Sequence, residues 1–83
     1  MQDPKQLLFT IQNAVNRGDC LVFTYKKKDD ISFSTRFAKP LSLDTSGTDP
    51  FVRTKQRFPM EGYRTFKLSR IAEVFRVIPI AEL

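Results

Sequence analysis

No histidine occurs anywhere in the 83 residues. That absence removes the usual general base near neutral pH, and with it every histidine-containing metal site. Cysteine appears once, as Cys20, so the chain can form neither an internal disulfide nor a thiolate zinc site. Glycine is scarce at three residues, and no phosphate-binding loop, dinucleotide fingerprint or nucleophile elbow is present. The acidic pairs Asp29-Asp30 and Asp44…Asp49 fall in turns and lack a third convergent ligand. An enzyme is not expected on this inventory, nor is a cofactor or a bound metal. No apolar run approaches the roughly 20 residues of a membrane span, and the N-terminus has no apolar signal-peptide core. The expectation is a cytoplasmic protein with no membrane partner.

What is present suffices for one domain over residues 1–83. A chain this short buries only about 60–65% of its unfolded surface, but 41% of its residues are hydrophobic and eight are Phe. Charge is the first positive clue. Fourteen Lys and Arg against nine Asp and Glu leave a net +5. The excess sits in one stretch, where Arg53, Lys55, Arg57, Arg64, Lys67, Arg70 and Arg76 face only Glu61 and Glu73. A concentrated positive field suits an anionic partner such as a nucleic acid or a phosphorylated small molecule.

The N-terminal segment predicts a helix over about 4–17. Asp3 is placed to cap it, Pro4 fits the first helical position, and Gln6 completes a capping-box spacing. Leu7, Leu8, Ile11, Ala14 and Val15 recur on one face, and Gly18 is placed to end the helix in a left-handed cap. The remainder, about 20–80, reads as β. Cys20–Lys27 alternates with Leu21, Phe23 and Tyr25 on one side, and Lys27-Lys28-Asp29-Asp30 is a polar hairpin turn. Ile31–Leu43 follows, with Ile31, Phe33, Thr35 and Phe37 opposite Ser32, Ser34, Arg36 and Ala38, and near Pro40 it is expected to bend or to lie at an edge. Phe51–Arg57 and Tyr63–Leu68 are the third and fourth strands. A short helical turn at Ser69–Ile71 leads to a fifth, about Ala72–Ile80. The expected fold is mainly β with one N-terminal α-helix, its five antiparallel strands curling into a small barrel to remove exposed edges.

Three motifs together resemble the WYL family. The first is a helix, turn and strand carrying Ile11…Ala14-Val15…Gly18…Val22-Phe23-Thr24-Tyr25. The second is Arg36-Phe37-Ala38-Lys39-Pro40-Leu41, an R-x-(V/A)-x-P-L signature. The third and most specific is Arg64-Thr65-Phe66-Lys67-Leu68-Ser69-Arg70-Ile71, an R-x-F-(R/K)-L-x-R-I signature. The likeness spans about residues 7–78. The family's naming Trp-Tyr-Leu triplet is degenerate here, as Pro50-Phe51-Val52, and Ser69 stands where an acidic residue is frequent. The resemblance implies an Sm-like β-barrel of the kind found mainly in bacterial transcription regulators, here without the usual DNA-binding helix-turn-helix.

It also implies a positively charged site for an anionic or nucleic-acid ligand. The residues expected to form one site are Tyr25, Arg36, Phe51, Arg53, Arg64 and Arg70. Arginine offers planar forks that match phosphate oxygens and stack on bases, and adjacent aromatic rings provide platforms for unpaired bases. The expected function is a non-enzymatic regulatory module recognising single-stranded nucleic acid or a nucleotide-like anion. The alternative is a protein-interaction or oligomerisation module, with Phe51–Arg57 as an exposed strand edge docking a partner regulator or a second copy.

Overall fold

The computed structural model describes residues 3–26 and 32–80. The Lys27-Lys28-Asp29-Asp30 turn and Ile31 lie outside the described residues. Helix α1 spans Pro4–Arg17. The Asp3 carboxylate accepts from the Lys5 N–H at 3.0 Å, Pro4 opens the helix, and Gly18 closes it in the left-handed region at φ +75°. A side chain at that φ carries a steric penalty glycine avoids. Five strands follow: β1 Cys20–Lys26, β2 Phe33–Asp44, β3 Phe51–Phe58, β4 Gly62–Lys67 and β5 Ile71–Ile78. A one-turn 3₁₀ helix, Leu68–Arg70, joins β4 to β5.

All neighbouring strands are antiparallel, in the order β4-β3-β2-β1-β5. Two expectations change here. Phe51–Arg57 is not an edge, because β3 is hydrogen-bonded on both sides, to β2 and to β4. Nor is the barrel closed by hydrogen bonds: among the described residues no ladder joins β4 to β5. Side chains do that work instead. The Phe66 ring of β4 meets Phe23 and Tyr25 of β1 edge-on, at centroid distances of 5.1 and 4.8 Å. The Lys67 N–H donates to the Tyr25 hydroxyl at 3.3 Å. Strands three places apart in the sheet thus touch across its hollow, so the sheet is strongly curled. Register shifts in β2 at Phe37/Ala38 and between Pro40 and Ser42 supply the bending, and of the two outcomes expected at the proline it is the bend that occurs, since β2 is not an edge strand.

The hollow holds the core. Leu21, Phe23, Ala38, Val52, Phe66, Leu68 and Ile71 form one cluster, and Leu7, Ile11 and Ala14 of α1 complete it. Leu8, expected on the buried helix face, is 37% exposed. The contact stripe of α1 follows the i, i+4, i+7 row, and Leu8 falls beside it.

The strand β2 reverses the simplest reading of its pattern. Its Phe-rich side faces outward, with Phe33 56% exposed, while Ala38 and Pro40 are buried. Pairing explains the choice. Leu21 and Phe23 of β1 must go inward, and their register partners are Ala38 and Arg36. Directly paired residues share a face, so an arginine enters the hollow and the phenylalanines leave it.

Candidate ligand-binding site

Arg36 is therefore the residue at the centre of the candidate site. Half-buried, it is held by two neutral groups. Its Nε donates to Ser34 Oγ at 2.9 Å, and its Nη1 donates to Gln56 Oε1 at 2.9 Å. The guanidinium carbon lies 5.6 Å from the Phe66 ring centre and 6.0 Å from that of Tyr25. Both distances fall in the range where a ring face attracts a cation. Among the described residues no carboxylate pairs with Arg36, and its Nη2 makes no hydrogen bond. A fixed, walled guanidinium with donors in hand can bind an oxyanion.

The supporting shell comes from alternation in β3. Phe51, Arg53, Lys55 and Arg57 lie on one side, which leaves Val52, Thr54 and Gln56 inside, all buried. Gln56 is 0% exposed, and its Nε2 donates to the Met60 carbonyl at 2.8 Å. The Thr54 hydroxyl donates to the Arg64 carbonyl at 3.0 Å. Gln56 was absent from the residues expected at the site. The signal for it was available: a strand with four basic or aromatic residues on one face must send the other face inward, where a glutamine needs partners.

The six expected residues do not form one site. Tyr25 and Arg36 come together in the hollow, joined by Phe66. Phe51 and Arg53 pair with each other on the opposite, outer face, with the Arg53 guanidinium carbon 5.9 Å from the Phe51 ring centre. Arg53 and Arg64 both line an open groove of about 250 Å³, together with Leu41, Ser42, Thr54, Tyr63 and Thr65. The side chain of Arg70, half-buried in the 3₁₀ turn, makes no hydrogen bond or ion pair among the described residues. Register parity separates Phe51 and Arg53, which pair with Lys67 and Thr65 on the outer side, whereas Arg64 pairs with Thr54 and shares the inner parity of Phe66.

The outer face of β3 and β4 is basic. Lys55 pairs with Tyr63, Arg53 with Thr65, and Phe51 with Lys67. Asp49 lies 3.5 Å from Lys67, in an ion pair exposed enough to contribute little. Elsewhere, burial pushes the Cys20 thiol up, and nearby Arg57 and Lys39 pull it the other way. Among the described residues no cluster of three or more Cys, Asp or Glu is arranged to hold a metal ion, and no helix is long and apolar enough to cross a membrane.

A family model described as "WYL domain" matches residues 6–76. Among solved structures, the fold is similar to part of proteasome accessory factor B/C (PafBC) of Arthrobacter aurescens. The TM-score is 0.78 at 20% sequence identity, covering 94% of this chain and 13% of that chain. At that identity the likeness is one of fold. No curated protein is significantly similar to this chain in sequence.

Proposed function

This chain belongs to the WYL domain family, and we propose that it is a non-catalytic regulatory module binding single-stranded nucleic acid or a nucleotide-like anion at Arg36. One observation carries the reading: a half-buried guanidinium whose only described partners are neutral. Buried charges are ordinarily paired. An anionic ligand supplies what this one lacks, and its base or other flat group gains from the aromatic walls. The basic side of β3, with Arg53, Lys55 and Arg57 on the opposite face of the sheet, adds to the positive field that attracts a polyanion. A part in transcription regulation is the role that fits such a module.

The test is a fluorescence-anisotropy titration with a short mixed-sequence single-stranded DNA and with its duplex. Single strands are expected to bind more tightly at ~150 mM salt, because stacking needs unpaired bases and one helix packed on the sheet offers nothing to a major groove. Arg36→Lys should weaken binding about tenfold although charge is kept, because a lysine lacks the planar fork. Lys5→Ala, on the exposed side of α1, should have little effect. Equal affinity for duplex and single strand, or equal losses in the two variants, reduces the binding to diffuse charge.

The second reading, protein interaction, finds its support at β4. That strand lies at the sheet edge, and Phe58, Met60 and Tyr63 are exposed around it, Tyr63 by 73%. Affinity insensitive to salt would favour it.

A further inference from the structure

Gln56 is the one fully buried amide side chain in the described core, and both its ends are committed. The two ends are not interchangeable. A carbonyl only accepts and a guanidinium only donates. The Met60 carbonyl therefore takes the amide nitrogen, and the amide oxygen is forced toward Arg36. Burying an amide is costly unless it is hydrogen-bonded, and only this orientation meets the demand at both ends.

The neutrality of that partner matters. Glutamate has the same reach and would accept from Arg36 as well, but its charge would cancel that of the guanidinium. It would also set a carboxylate oxygen against the Met60 carbonyl. Glutamine aims the arginine without neutralising it. We infer that Gln56 is a positioning residue that holds the Arg36 guanidinium beside Tyr25 and Phe66 while leaving its charge uncompensated, so that the site selects an anionic group over an uncharged one. The inference rests on the Arg36 site proposed above, and it adds the residue that sets the site's charge preference.

Two substitutions separate charge from position. Gln56→Glu should lower affinity for a short single-stranded DNA about tenfold or more, with the log–log salt dependence shallower by about 0.7, the value for one lost phosphate contact. The parent's preference for that DNA over an uncharged methylphosphonate of the same sequence should shrink in parallel. Gln56→Met keeps the charge and releases the guanidinium, so affinity should fall while the salt slope stays. A purely structural role would move stability in both variants and leave slope and preference alone. Parental affinity and slope in a folded Gln56→Glu variant overturn the inference.

A measurement on the unsubstituted protein decides the matter without any ligand. NMR of the arginine side chains should show Arg36 with slowly rotating, individually resolved Nη–H signals. Free rotation there overturns the positioning role even if DNA binds. Resolved signals together with no DNA binding would instead reject the proposed function and leave the positioning of Arg36 standing.

Discussion

Replacing Phe66 by leucine probes the contact that curls the sheet. Phe66 is 3% exposed and meets the edges of Phe23 and Tyr25 at 5.1 and 4.8 Å. Such ring pairs contribute about 0.5–1.5 kcal/mol each beyond area burial, so losing two costs about 1–3 kcal/mol. The change also removes a ring face from Arg36, for roughly 0.5–1 kcal/mol more. Taking about 3 kcal/mol, near the middle of the summed range, Tm should fall by about 12–24 °C in a domain of this size. Alanine is the wrong choice here, because a Phe→Ala cavity costs about 3–5 kcal/mol. The whole fold has only about 4–12 kcal/mol, at roughly 0.05–0.15 per residue. The control is Phe33→Leu, at the outward face of β2, where a surface change should stay within about ±0.5 kcal/mol. Both variants are compared with the parent by circular dichroism and calorimetry, with a two-state transition required of each. Should Phe33→Leu lower Tm as much as Phe66→Leu, the assignment of inner and outer faces is wrong.

Two further outcomes follow from local chemistry. Cys20 is fully buried and its thiol is pushed up mainly by that burial, so iodoacetamide at pH 8 should modify the native protein far more slowly than the denatured one. Comparable rates would remove Cys20 from the core. Asp44 is held below its ordinary value of 3.8, first by the Ser46 hydroxyl at 2.6 Å and then by the Ser46 N–H at 3.0 Å. A depressed carboxylate adds stability above its unfolded value, and that contribution is lost as pH falls through the folded one. Ser46→Ala should therefore raise the Asp44 titration seen by NMR, and its stability deficit should be present near neutrality and vanish in acid. An unmoved titration would remove the hydroxyl as a cause.

Much of the architecture follows from local chemistry alone. Asp3, Pro4 and Gly18 mark the helix because capping and a left-handed terminus depend on the residues at those positions, whatever surrounds them. Strand positions follow from period-two alternation and from turn residues, and the observed bounds differ from the expected ones by only a residue or two. The chemistry of Arg36 and Tyr25, a guanidinium fork and a ring, was legible from the motifs and from their residue types. Which face each strand buries was not. In β2 both faces carry apolar side chains, so hydrophobicity cannot choose between Phe33–Phe37 and Ala38–Pro40. Register against Leu21 and Phe23 chooses, and that pairing exists only once β1 and β2 have met. The same pairing carries Arg36 into the hollow, brings Gln56 to it from a strand 20 residues on, and sends Phe51 and Arg53 to the far side. Residue type thus determined which side chains have the chemistry to bind an anion, and tertiary pairing decided which of them stand together.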